Sequence, residues 1–228
     1  EDEPAEELLD EIYTEKKRLL DKKEIPKPKN LRPIELAEVP FVIPETWEWI
    51  RLGEIIKSIT NGIYKPASFF DDKGTACLRM YNISKRRINL LNVKRLRLTN
   101  EEIEKYSLQV GDLLVNRVNS KELVGKAGVV GEFGETLVFE AMNMRVRFHD
   151  NSRSSYFSNL YLASSFAHKQ IADEAKQAIG QASINQSQVS NLIFPLPPLE
   201  EQKRIVARVD ELMAILDELE VKLQTSQE

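Results

Sequence analysis

The side chains in this sequence that could do chemistry are mostly cations and amides set beside turn signals. Lys65 follows Asn61-Gly62-Ile63-Tyr64, and Arg79 precedes Tyr81-Asn82. Arg117, Asn119 and Ser120 follow a predicted strand that begins after Gly111-Asp112, and Asn143 and Arg145 sit in a later strand. Arg, Lys, Asn and Gln are the residues that hydrogen-bond base edges bidentately or grip phosphates, and loops on a rigid sheet are where such groups are displayed. Taken singly, each is better read as soluble turn chemistry.

Catalytic patterns are missing where they would be expected. Gly125-Lys126-Ala127-Gly128 lacks the Ser or Thr after Lys and the spacing of a phosphate-binding loop, so turns between short strands explain its glycines better. Asp71-Asp72 could hold a divalent cation, yet Asp-Asp-Lys-Gly is more often a solvated turn. His149 and His168 stand apart from any cysteine or carboxylate pattern, and Glu15-Lys16-Lys17 falls on a predicted acidic helix rather than on a nuclease strand. No glycine-rich dinucleotide fingerprint is present. Neither catalytic residues nor a metal site are expected in this chain.

The elements that must position the recognition groups are mixed. Trp47 and Trp49 alternate along a first strand, and Leu78, Met80 and Ile83 lie in an apolar run. Further strands are predicted over 88–98, 112–118, 127–133 and 137–148, forming a strongly bent, mostly antiparallel sheet. Thr99 with Glu102 is a capping-box signal for a helix over 99–106, and 154–179 reads as mostly helical. After Gly180 comes a polar tract, residues 181–187. The ends differ from this middle. Ile205, Val209, Leu212, Leu216, Leu219 and Leu223 recur at spacings of four and three, a coiled-coil seam on a helix over 199–224, roughly 40 Å long. Leu8, Leu9, Ile12, Leu19 and Leu20 mark an N-terminal helix that is a candidate partner for it, and the prolines at 26, 28, 33, 40 and 44 mark an extended linker between that helix and the middle. The expected division is an N-terminal helix (1–24), a Pro-rich linker (25–44), an α+β domain (45–195) and a long C-terminal helix (196–228).

Of 228 residues, 42% are hydrophobic and 30% charged, enough for a core and for long solvated helices, which excludes wholesale disorder. The net charge of −4 hides a pattern. Residues 1–44 carry 8 basic and 12 acidic side chains, residues 45–195 carry 20 and 16, and residues 196–228 carry 4 and 8. A basic middle between acidic ends is compatible with a polyanion partner, because fields act locally. A single cysteine, Cys77, cannot close an internal disulfide, so a reducing, cytoplasmic setting is expected. Neither a membrane span nor a signal peptide is predicted.

Read together, several segments resemble the specificity subunit of type I restriction-modification systems. Residues 195–206, Pro-Leu-Pro-Pro-Leu-Glu-Glu-Gln-Lys-Arg-Ile-Val, are similar to the family's entry into its conserved long helix. Ile43-Pro44-Glu45-Thr46-Trp47-Glu48-Trp49 with Leu52-Gly53-Glu54 resembles the entry to a target recognition domain. Gly111-Asp112-Leu113-Leu114 with Arg117, then Val124-Gly125-Lys126-Ala127, resembles its central sheet signature, and Glu3-Pro4-Ala5 with Leu8-Leu9 and Glu15-Lys16 the tail of a conserved helical region.

The resemblance implies a non-catalytic reader of one half of a bipartite site in double-stranded DNA. Modification and restriction subunits are the implied partners, and S-adenosylmethionine, ATP and Mg²⁺ are expected on those chains, with no cofactor on this one. The family usually carries two recognition domains, and one is legible here. Either a cut-down half subunit or a naturally single-domain version is expected, with a homodimer through the helices restoring the second half-site. Candidate base or groove contacts are Lys65, Arg79, Arg117, Asn119, Ser120, Asn143, Arg145, Asn185 and Gln186. Candidate phosphate contacts are Lys85, Arg86, Arg87 and Lys126. The alternative is a helical scaffold that binds protein and reads no DNA. Salt-dependent binding of duplex DNA separates the two.

Overall fold

Leu113-Leu114-Val115 is buried on both faces, as the centre of a sheet must be, and the protein is built outward from it. A computed structural model describes residues 2–25, 30–150, 153–178 and 180–225. Along the chain these form α1 (Ala5–Asp21), β1 (Glu48–Arg51), β2 (Ile56–Asn61), β3 (Phe70–Leu78), β4 (Ile83–Ser84), β5 (Arg87–Ile88) and β6 (Lys94–Leu96). Next come α2 (Asn100–Tyr106), β7 (Leu113–Asn116), β8 (Val118–Asn119), β9 (Ala127–Val129), β10 (Leu137–Phe139) and β11 (Asn143–Phe148). The last part holds α3 (Ser155–Leu162), α4 (Ser165–Glu174), β12 (Lys176–Ala178), β13 (Gln181–Ser183), α5 (Gln186–Ser190), β14 (Ile193–Leu196) and α6 (Leu199–Thr225).

The α+β class is as expected. The central sheet has the order β2-β11-β7-β9-β5-β4, and smaller sheets β10-β3-β6, β12-β13-β8 and β1-β14 surround it. Most pairings are antiparallel, while β10 on β3 and β5 on β9 are parallel. Side chains alternate across β7. Leu113 and Val115 join a core with Met144, Val146, Phe157 and Phe194, whereas Leu114 faces a second cluster with Leu78, Ile83 and Phe139.

Several expected elements are shorter than predicted. The run at 88–98 splits into β5 and β6, and the run at 137–148 is broken by the turn between β10 and β11. The helix expected over 154–179 ends twice. Ser164 caps α4 by accepting from the Ala167 N–H at 3.2 Å, and after Glu174 the chain becomes β12 because β13 offers a pairing edge that outweighs local propensity. Asp71-Asp72 lies in an irregularity of β3, where Asp71 accepts from the Lys73 N–H at 3.0 Å. The predicted capping box is present: Glu102 N–H donates to Thr99 Oγ1 at 3.3 Å, and the Glu102 carboxylate accepts from the Thr99 N–H at 3.1 Å.

The helical flanks do not pair along the seam. The apolar face of α1, with Ala5, Leu8, Leu9 and Ile12, is used up in the main core against residues such as Ile50, Phe148 and Phe157. Just before α1, Asp2 accepts a salt bridge from Arg204 of α6. Ile205 and Val206 pack against the main core, and Gln202 is buried, so the first turns of α6 belong to the body. Beyond them the seam is open, with Leu216 52% and Leu223 64% exposed. The 30–44 segment is strapped down by Arg51, only 3% exposed, whose guanidinium donates to the carbonyls of Arg32, Pro33 and Asn191 and to the Glu38 carboxylate at 2.6–3.0 Å. Prolines 26 and 28 of the predicted linker lie outside the described residues.

Candidate nucleic-acid interface

One rim of the sheets gathers most of the recognition candidates, and backbone pairing explains why. The turn 140–142 is the hub. Ile63 N–H donates to Phe139 O at 2.9 Å, Ala141 N–H to Ile63 O at 2.9 Å, Glu140 N–H to Leu78 O at 3.0 Å, and Arg117 N–H to Met142 O at 2.8 Å. The loops bearing Lys65, Arg79 and Arg117 therefore meet at that turn. Gly62 is required there, since a Cβ would fall 2.2 Å from Glu140 O and 2.4 Å from Phe139 O. Ile184 N–H donates to Arg117 O at 2.9 Å and β13 pairs with β8, which brings the 185–186 segment to the same rim.

The side chains differ in what they have left to offer. Lys65 pairs with Glu102 at 2.6 Å and lies over the Phe69 ring, 4.3 Å from its centroid. That ammonium, together with the Thr99 N–H, holds the Glu102 carboxyl below its ordinary range. Arg79 donates to Glu140 at 2.8 Å. Arg117 is the least committed: Nη1 reaches Ala141 O at 3.3 Å, and its buried Nε has no partner. Asn119 donates to Asn116 Oδ1 at 2.7 Å and accepts from the Ser120 N–H at 2.9 Å. Asn185 caps α5 by accepting from the Gln188 N–H at 3.0 Å, and Gln186 donates to Asn61 Oδ1 at 3.3 Å. Lys126 stands near Arg117 and Asn119, since Asn116 N–H donates to Lys126 O at 2.8 Å, and burial lowers its pKa. A cleft of about 110 Å³ opens beside this group, lined among others by Tyr64, Lys65, Arg79, Lys94, Glu140 and Met142.

Five candidates are placed elsewhere. Asn143 is fully buried; it donates to Leu78 O at 3.4 Å and accepts from Asn116 Nδ2 at 3.1 Å, so it braces the rim from beneath and presents nothing to a groove. Arg145 is also buried, donating to Ser107 O at 2.6 Å with its guanidinium 5.6 Å from the Phe139 ring. Neither is offered to a groove because β11 is covered on both faces, a property of the packing around it that a strand signal does not carry. Lys85 and Arg86 leave the phosphate set, since they pair with Asp217 at 2.9 Å and Asp210 at 3.1 Å of α6. Arg87 is exposed beside them on β5. One important residue escaped the sequence reading. Asn116 donates to both Asn143 Oδ1 and Met142 O, forming with Asn119 and Asn143 an amide ladder under the rim. An amide ending the apolar run Leu113-Leu114-Val115 was the available signal, because a buried amide must find partners.

The sequence profile described as the type I restriction modification DNA specificity domain matches residues 44–226. The chain belongs to this specificity family. A putative type I restriction enzyme MjaX specificity subunit of Methanocaldococcus jannaschii is 35% identical over 181 residues, which cover 78% of this chain and 41% of that one. The type I restriction enzyme EcoAI specificity subunit of Escherichia coli is 30% identical over 231 residues, covering 100% of this chain and 38% of that one. This specificity-family chain thus spans about two fifths of the curated relatives it matches. The HsdS subunit of Thermoanaerobacter tengcongensis shares the fold at 20% identity, with a TM-score of 0.56 over 95% of this chain and 50% of that one. A chain from a study of complex assembly and conformational transition of the type I R-M system aligns with a TM-score of 0.59 at 20% identity, over 94% and 51%. Among the described residues no helix is long and apolar enough to cross a membrane.

Proposed function

We propose that this chain reads one half of a bipartite site in double-stranded DNA as the specificity component of a type I restriction-modification assembly. The observation that carries the reading is the convergence of Lys65, Arg79, Arg117, Asn119, Ser120, Asn185 and Gln186 at one rim of a rigid sheet, in a chain of the specificity family. Arg117, with donors to spare, reads a base edge, and Lys126 and Arg87 meet phosphates. Lys65 and Arg79 reach DNA by exchanging their carboxylate partners for it. The open seam of α6 supports self-association or docking of a modification subunit, with a restriction subunit joining the assembly. The chain is non-catalytic in this reading and works in the cytoplasm, with S-adenosylmethionine, ATP and Mg²⁺ carried by its partners.

Duplex binding by the chain together with its modification subunit tests the reading. The logarithm of the binding constant should fall linearly with the logarithm of salt concentration. Binding indifferent to salt, or absent, would leave the helical scaffold as the better account.

A further inference from the structure

A second basic site faces the protein itself. The turn between β4 and β5 carries Lys85 and Arg86 in the left-handed region, with φ of 46° and 62°, so two long cationic side chains project from one tight bend. Both reach α6. Arg86 pairs with Asp210 at 3.1 Å; Lys85 pairs with Asp217 at 2.9 Å and lies 3.8 Å from Glu220. Those acids are spaced seven and three residues apart, which sets them on one face of the helix. Asn159 of α3 donates to Arg86 O at 2.8 Å, fixing the bend to the body. A cleft of about 240 Å³ separates α6 from the domain here, lined by Phe133, Tyr156, Asn159 and Val206 among others. After Val209, Asp217 is the one α6 residue among those described that is even half-buried. Beyond Val209 every described apolar side chain of α6 is thus exposed.

We infer that Lys85 and Arg86 form a charge clamp that sets the direction in which α6 leaves the domain, making them positioning residues for the half-site gap rather than phosphate contacts. The lever is long. Gln224 lies about 27 Å beyond Val206, so a tilt of about 15° displaces it by about 7 Å, about two base-pair rises of duplex DNA. Exposed ion pairs are individually weak and are screened by salt, so the clamp holds the helix without locking it. Its consequence for DNA rests on the proposed reading, whereas the helix direction does not.

The test is a spin-label distance in the full chain, with Glu104→Cys on the domain and Gln224→Cys on the helix, diluted into unlabelled chain. The native Cys77 is buried, with its thiol pushed up to about 12, and stays unlabelled. One narrow distance is expected at low salt. Lys85→Glu with Arg86→Glu should broaden it or shift it by about 5 Å or more, as a lever of this length dictates. Adding Asp210→Lys and Asp217→Lys should restore it. An unchanged distance in the double variant, or a change that the swapped acids do not rescue, overturns the clamp. In the complex with its modification subunit, the double variant should lose several-fold in its preference for one gap length, and the swap should return it. Lost binding that the swap leaves lost would mark Lys85 and Arg86 as phosphate contacts instead. The distance needs no DNA, so failure of the reading and failure of the clamp are separable.

Discussion

At the scale of single residues, the strongest expectation concerns Arg117. If its spare donors read a base, Arg117→Ala should cost about 1–3 kcal/mol of discrimination at one position. Lys126→Ala should instead weaken all sequences alike and reduce the salt slope by about 1. Competition binding with matched and mismatched duplexes at several salt concentrations separates these outcomes. His149 makes a pH prediction. Burial, reinforced by the Lys16 and Lys57 ammoniums, lowers its pKa from 6.5 to about 4. Above about pH 6.5 it is neutral both folded and unfolded. Below that value the unfolded chain takes up a proton that the folded chain refuses until about pH 4, so acidification through this window favours unfolding. Neighbouring Asp150 has the opposite sign, because burial raises its pKa. Replacing His149 by Asn should therefore flatten the loss of stability between about pH 6.5 and 4, read from urea midpoints across that range. At this scale the sequence exposed residue types but not facing. Asn143 and Arg145 carry the right chemistry on a strand between β2 and β7 whose two faces are both buried, and that depends on what packs over the sheet rather than on the strand's own residues.

At the scale of elements, two polar clusters away from the rim tie neighbouring segments to the sheets. Asp112 accepts two hydrogen bonds from the Arg147 guanidinium at 2.7 and 3.0 Å and one from the Gln109 N–H at 2.8 Å. Arg51 ties the 30–44 segment to β1 and to Asn191. Arg51→Met should destabilise the fold by about 3 kcal/mol, since four hydrogen-bond acceptors lose their partner together. Denaturant unfolding measures it. The C-terminal helix and the capping box at Thr99 were legible because helix signals are local. The break between α3 and α4 and the strand at Lys176–Ala178 were not, because β12 exists only through its pairing with β13.

At the scale of the whole molecule, charge and apolar surface divide the labour. The net of −4 combines a mildly basic middle with acidic ends, and part of the acid of α6 is used to hold Lys85 and Arg86. The seam beyond Val209 is open, and the proposed reading leaves it for another chain. Replacing Leu212 and Leu216 by Glu should abolish self-association or assembly with the modification subunit, while unfolding of the domain stays unchanged, because those side chains are 45% and 52% exposed. Sedimentation and thermal melts report the two effects separately. Of the partners open to α1, its apolar face takes the sheet and α3 within this chain, since an apolar stripe specifies burial and not against what. The central claim, that the rim around Arg117 reads DNA, is tested most directly by the methylome of cells carrying the assembled system with either wild type or Arg117→Ala. The account predicts a methylated site that becomes degenerate at one base of a half-site. An identical set of methylated sites, modified to the same extent, would contradict it.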